Sequence, residues 1–172
     1  DFPPGFFDRS DPSPDAGFYR PQRLVTHIDD GAISAVGALY DELAIGAVGD
    51  GEVLETGSKR FRHLDTPHVP HNWESRVLFE ETTGTLFAGD LFTHFGNGPA
   101  LTDSDVLGPA MVAEDMMNGS SLSAATPATV ARLAELTPTT MALMHGSSYS
   151  GDCAAALRDL AADYSRRIAA AR

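Results

Sequence analysis

Thr66-Pro67-His68-Val69-Pro70-His71-Asn72-Trp73-Glu74-Ser75 leads straight into Arg76-Val77-Leu78-Phe79-Glu80. Across Glu81-Thr82-Thr83-Gly84 the chain then enters Thr85-Leu86-Phe87-Ala88-Gly89-Asp90. Arg76–Glu80 and Thr85–Ala88 flank a Thr-Thr-Gly turn and read as two strands of a hairpin. His71 stands just before the first strand and Asp90 just after the second. Side chains at strand ends project into loops at one rim of a sheet, where sites assemble on a rigid scaffold.

Downstream, residues 93–121 are rich in Gly and Ser at both ends, with Met111, Met116 and Met117 marking a short helix between. Thr126-Pro127 starts a helix, with Pro in its first turn and Val130, Leu133 and Leu136 on one face. After Pro138, Thr140–Met144 reads as a buried strand that ends at His145-Gly146. A last helix from about Asp152 buries Leu157, Leu160, Ala161, Tyr164 and Ile168. Upstream, Gly49-Asp50-Gly51 is a turn ahead of a strand over Glu52–Glu55, and Arg60–Leu64 is a further strand. Ile33, Val36, Leu39, Tyr40 and Leu43 recur at helical spacing, and Arg23–Thr26 is a short strand ending at His27. Residues 1–23 carry Pro3, Pro4, Pro12, Pro14 and Pro21 and read as an irregular segment. Strands alternate with helices, so the class is α/β or a layered α+β sandwich.

The 172 residues suit a single domain, 1–172, with a real core. Acidic side chains number 24 against 12 basic ones, a net charge of −12. That balance argues against nucleic acid and anionic membrane as partners, since both select clustered Lys and Arg. No apolar run is long enough for a membrane span. The lone Cys153 excludes an internal disulfide framework and any thiolate-built zinc site, so a metal site must use His and carboxylates. Its place at a helix start is one that lowers a thiol pKa, yet with no resolving partner a buried or incidental thiol is the expectation. No basic–apolar–small leader is present, so the expected location is cytoplasmic. There is no G-x-G-x-x-G or Walker loop, and Gly146-Ser147-Ser148-Tyr149-Ser150-Gly151 does not match the G-x-S-x-G elbow.

The 66–90 stretch and the Met144-His145-Gly146 strand end resemble the metallo-β-lactamase superfamily. That superfamily sets a ligand His before one strand, a bridging Asp in a Gly-Asp at the end of the next, and a last ligand His at a later strand end. Within it the likeness is to the diiron branch, the flavodiiron proteins and their flavin-free oxygen-binding relatives, and it runs from about His27 to the C-terminus. The branch uses His-x-Glu-x-Asp as its first motif. Here that motif reads His27-Ile28-Asp29-Asp30-Gly31, one residue shorter, with no His after Asp30. The resemblance implies an αββα sandwich, shortened at the N-terminus because the opening β-hairpins are absent.

It also implies a dinuclear metal site. His27, Asp29 and His71 would hold one ion; Asp30, His145 and Asp90 would hold the other, with Asp90 bridging. His71 is preferred to His68 for its distance to Asp90. Imidazole and carboxylate without thiolate suit iron, manganese or zinc. Iron is the expected metal, giving an oxidoreductase or oxygen-binding module that takes O2 or NO. No flavin is expected in this chain, electrons coming from a separate donor, and a homodimer stays open. The alternative is a zinc hydrolase of a small ester, thioester or lactone. A third reading is a non-catalytic descendant with a degenerate site. Around the ligands, Trp73 and Glu74 would orient His71, Trp73 serving equally well as core. His68 is a pocket wall or plain surface, His94 lines the pocket or moves protons, and Tyr149 reaches the site. His63 reads as structural or exposed, and the three methionines as core filler.

Overall fold

A computed structural model describes residues 49–67, 69–71 and 75–171, all within one compact unit, Ala47–Arg172. Its elements are β1 (Val53–Thr56), β2 (Lys59–Asp65), β3 (Arg76–Glu80), β4 (Thr85–Gly89), β5 (Leu101–Thr102), α1 (Leu107–Met117), α2 (Thr126–Ala134), β6 (Thr140–Leu143), β7 (Ser148–Tyr149) and α3 (Cys153–Ala170). The seven strands form one sheet in the order β1-β2-β3-β4-β6-β7-β5. β1 to β4 are an antiparallel meander, and β4 pairs with β6 in parallel. A parallel pair requires a crossover, supplied here by the chain that carries α1 and α2.

The β3–β4 turn is held by a carboxylate. Glu80, 3% exposed, accepts hydrogen bonds from the Thr82 and Thr83 amides at 2.8 and 3.0 Å and also from the Thr83 hydroxyl. Lys59 Nζ stands 3.1 Å from it. These donors hold the Glu80 carboxyl far below the usual carboxylate range, those of Thr82 and Thr83 most strongly.

One face of the sheet carries Leu64, Val77, Leu86, Ala88 and Met141 into the core, where they meet Val130, Leu133, Leu157, Leu160 and Tyr164 of α2 and α3. The periodicity that marked α2 and α3 in the sequence is this buried face. α3 is capped by Asp152, whose Oδ1 accepts from Ala155 N at 2.8 Å. On the other face Leu54 lies opposite Phe61 and Leu78 opposite Phe87, and the Phe61 and Phe87 rings are 6.2 Å apart.

The sequence expectations for β1 to β4, β6, α2 and α3 match to within a residue or three at their ends. β5 and β7 were not expected; each is two residues long, too short to show alternation. The methionines need a correction. Met111 packs against the core, but Met116 and Met117 are 73% and 49% exposed, because α1 buries Ala110, Ala113 and Glu114 instead. His63 is buried in β2, with no hydrogen-bond partner on Nδ1. Cys153 is buried too, and burial pushes its thiol pKa up, overriding any lowering by the helix start. No described helix is long and apolar enough to cross a membrane.

Candidate metal centre

The parallel β4–β6 pair brings two chain segments to one rim. Gly89 pairs with Leu143, and Gly89 O accepts from Met144 N at 3.0 Å, so Asp90 and His145 emerge side by side. Asp90 is anchored from below by the buried Leu91 and Phe92, and its carbonyl accepts from Thr93 Oγ1 at 2.7 Å. His71 approaches from the loop before β3.

The two oxygens of Asp90 face different imidazoles. Oδ2 is 2.9 Å from His71 Nε2, and Oδ1 is 3.3 Å from His145 Nε2. The side chains of His71 and Asp90 are each 28% exposed. His71 Nδ1 lies 3.1 Å from Gly119 O. A carbonyl only accepts, so Nδ1 carries the proton of that bond. In the neutral ring Nε2 is then an acceptor, facing a carboxylate oxygen that is also an acceptor. Two acceptors at 2.9 Å need a cation between them, either a second ring proton or a metal ion. The separations themselves are those of adjacent ligands around an ion with bonds of about 2.1 Å, which stand roughly 3.0 Å apart at right angles.

These side chains line a cavity of about 370 Å³. His71, Asp90, His145 and Glu114 give it a polar wall, and Pro70, Phe95 and Met117 an apolar one. Glu114, Ser120 and Phe95 were not singled out from the sequence. The one signal for Glu114 was an acidic pair, Glu114-Asp115, inside an otherwise apolar helix.

His94 takes a different position from a pocket residue. Its Nδ1 donates to Phe92 O and its Nε2 accepts from Ser147 N, both at 2.9 Å, so both ring nitrogens are engaged with backbone. Tyr149 lies in β7 beside Met141 and Thr102, and burial pushes its phenol pKa up. Neither lines the cavity. His27, Asp29, Asp30, His68, Trp73 and Glu74 lie outside the described residues. Among the described residues, no group of three or more His, Cys, Asp or Glu side chains is arranged to hold a metal ion alone. Two imidazoles and one carboxylate fit a metal by donor chemistry, and the rest of a shell would have to come from elsewhere.

No protein-family model and no curated protein matches this sequence. Solved structures do match. A flavodiiron protein from Giardia intestinalis aligns over 80% of this chain and 34% of its own, at 18% identity and TM-score 0.53. Rubredoxin oxygen:oxidoreductase from Desulfovibrio gigas aligns over 77% and 36%, at 14% identity and TM-score 0.52. The chemotaxis sensor ODP, solved as a peroxy diiron species, aligns over 83% and 72%, at 16% identity and TM-score 0.53. This chain thus spans about a third of the first two proteins. At such identities the likeness is one of fold, and the fold is the metallo-β-lactamase-like one expected from residues 66–90 and 144–146.

Proposed function

We propose that this chain binds two metal ions, iron in both positions, and uses them to bind or reduce dioxygen or nitric oxide. The observation that carries the reading is that the two Asp90 oxygens face two imidazoles, His71 Nε2 at 2.9 Å and His145 Nε2 at 3.3 Å, while His71 Nδ1 meets Gly119 O. A carboxylate whose two oxygens meet two different imidazoles would suit a pair of ions, whose mutual repulsion needs an anion between them. His71 would hold one ion and His145 the other. Iron is favoured by the fold shared with diiron proteins; the imidazole and carboxylate donors alone would equally suit manganese or zinc.

Iron held there would supply open coordination positions for binding and reducing a diatomic gas. The protein's own part is orientation. Gly119 O fixes the His71 tautomer, Leu91 and Phe92 fix Asp90, and the Phe95 and Met117 side chains give the cavity an apolar wall. Electrons would come from a donor outside the described residues.

One observation favours a second reading. A cavity of about 370 Å³ with an apolar wall falls within the range for organic ligands, larger than a diatomic needs. A zinc pair there would hydrolyse a small ester, thioester or lactone. Elemental analysis of protein purified without a histidine tag tests both. About two irons per chain and an oxo–iron charge-transfer band in the oxidised protein are the expected result. Two zincs with chelator-sensitive ester hydrolysis would replace the redox reading. One metal or none, with Asp90→Ala leaving both content and stability unchanged, would overturn the dinuclear site and leave a non-catalytic descendant.

A further inference from the structure

The carbonyl that orients His71 is itself held in place from inside the protein. α1 ends at Met117, and Asn118 turns the chain with φ 48°, its amide donating to Glu114 O at 2.7 Å. The next three residues run alongside Pro70 and His71. Ser121 N donates to Pro70 O at 2.5 Å, and Gly119 O receives His71 Nδ1.

Between those two contacts, Ser120 is bolted to Glu114. Glu114 Oε1 accepts from the Ser120 amide at 3.1 Å and Oε2 from the Ser120 hydroxyl at 2.8 Å. A serine hydroxyl has one proton, and here it goes to the carboxylate. The 3.0 Å contact between Ser120 Oγ and Tyr164 Oη must therefore run the other way, with tyrosine as donor. Tyr164 is 3% exposed in α3, and burial pushes its pKa up to about 12, so its proton stays on. The result is a one-way chain: Tyr164 O–H to Ser120, Ser120 O–H to Glu114. Glu114 is itself 9% exposed, so its charge is stabilised by the two Ser120 donors inside the protein.

We propose that Glu114, Ser120 and Tyr164 are positioning residues for His71. They form a buried brace that holds the Gly119 carbonyl, keeps the proton on Nδ1 and presents Nε2 to Asp90. A brace rooted in α3, a core helix, fixes the ring more firmly than a carbonyl on a free loop can. Hydrogen-bond chains of this kind strengthen one another where water is excluded. The consequence for metal affinity rests on the proposed role of His71 as a ligand; the consequence for its tautomer does not.

The test separates the two. In metal-free protein, long-range 1H–15N correlations of the His71 ring are expected to show a proton on Nδ1 in the wild type. Glu114→Ala should replace that single tautomer with a mixture and weaken binding of Zn(II) and of Fe(II), each added alone, by about 10–100-fold. Tyr164→Phe keeps the ring in the core and removes one link, so its effect is smaller. Glu114→Gln retains one acceptor oxygen and should restore part of the loss. Should Glu114→Ala fail to fold, Ser120→Ala deletes both hydroxyl contacts and gives the same readouts. An Nδ1-protonated ring unchanged in folded Glu114→Ala or Ser120→Ala would overturn the brace, as would a wild-type ring protonated on Nε2 and not on Nδ1. A tautomer change in a protein that binds no metal would uphold the brace and refute the metal reading.

Discussion

Gly146→Ala probes how His145 is held. Gly146 has φ +98°, and a Cβ there would sit 2.4 Å from both Cε1 and Nε2 of His94. The imidazole is not free to swing aside, because its nitrogens are tied to Phe92 O and Ser147 N. Moving the ring breaks both bonds, at about 0.5–1.5 kcal/mol each. An alanine at positive φ adds roughly 1–2 kcal/mol of backbone strain. The expected destabilisation is therefore about 2–5 kcal/mol. In a His94→Ala background the added methyl has no ring to strike, and only the strain remains, about 1–2 kcal/mol. Urea unfolding of the four proteins, with equal m-values, gives the coupling energy, expected at about 1–3 kcal/mol. Equal costs in the two backgrounds would refute the claim that His94 packs into the space a glycine leaves. A cost below about 1 kcal/mol in the wild type would refute it as well.

Three further outcomes follow from the fold. Glu80 has its pKa depressed by hydrogen bonds it makes only when folded, so its stabilisation is full above its ordinary value of 4.5 and is lost as pH falls toward the folded value. Urea midpoints measured from pH 7 to pH 2 should show a steeper acid decline in the wild type than in Glu80→Gln; parallel curves would contradict this. Leu157→Ala opens a cavity where α3 meets the sheet and should cost about 2–5 kcal/mol in the same assay. Asp152→Ala removes the side-chain cap of α3 and should cost about 1 kcal/mol, with Asp152→Asn close to wild type by thermal melting.

The sequence was most legible where local chemistry and tertiary structure agree. The Thr-Thr-Gly turn, the apolar runs on either side of it, and the spacing of Leu157, Leu160 and Tyr164 each specify an element without reference to distant residues. β5 and β7 were invisible because two-residue strands are made by their neighbours: Ser148 N reaches Ala100 O, and Ser150 N reaches Thr102 O, across the sheet edge. His94 was legible as a histidine near Asp90 but not as a clamp, since both its partners are backbone groups brought there by the fold. Met117 and Glu114 reversed the usual expectation for a helix. The methionine is exposed at the cavity and the glutamate is buried, because Ser120, six residues on, supplies the donors that make burial of the charge tolerable. His71, Asp90 and His145 were legible as strand-end residues, and the structure brings those three together.

The parallel pairing of β4 with β6 also dictates when the site comes into being during folding. β1 to β4 are joined by short connections and can zip up locally, whereas β6 must wait for the chain through α1 and α2 to close on itself. Asp90 thus stands at the end of the local meander, whereas His145 reaches it only when the crossover has closed. A ligand that joins the two side chains adds to a contact that exists only once the crossover has closed. To the extent that this contact is absent from the folding transition state, the ligand would slow unfolding rather than speed folding, so that occupancy of the centre is recorded in how long the native state survives.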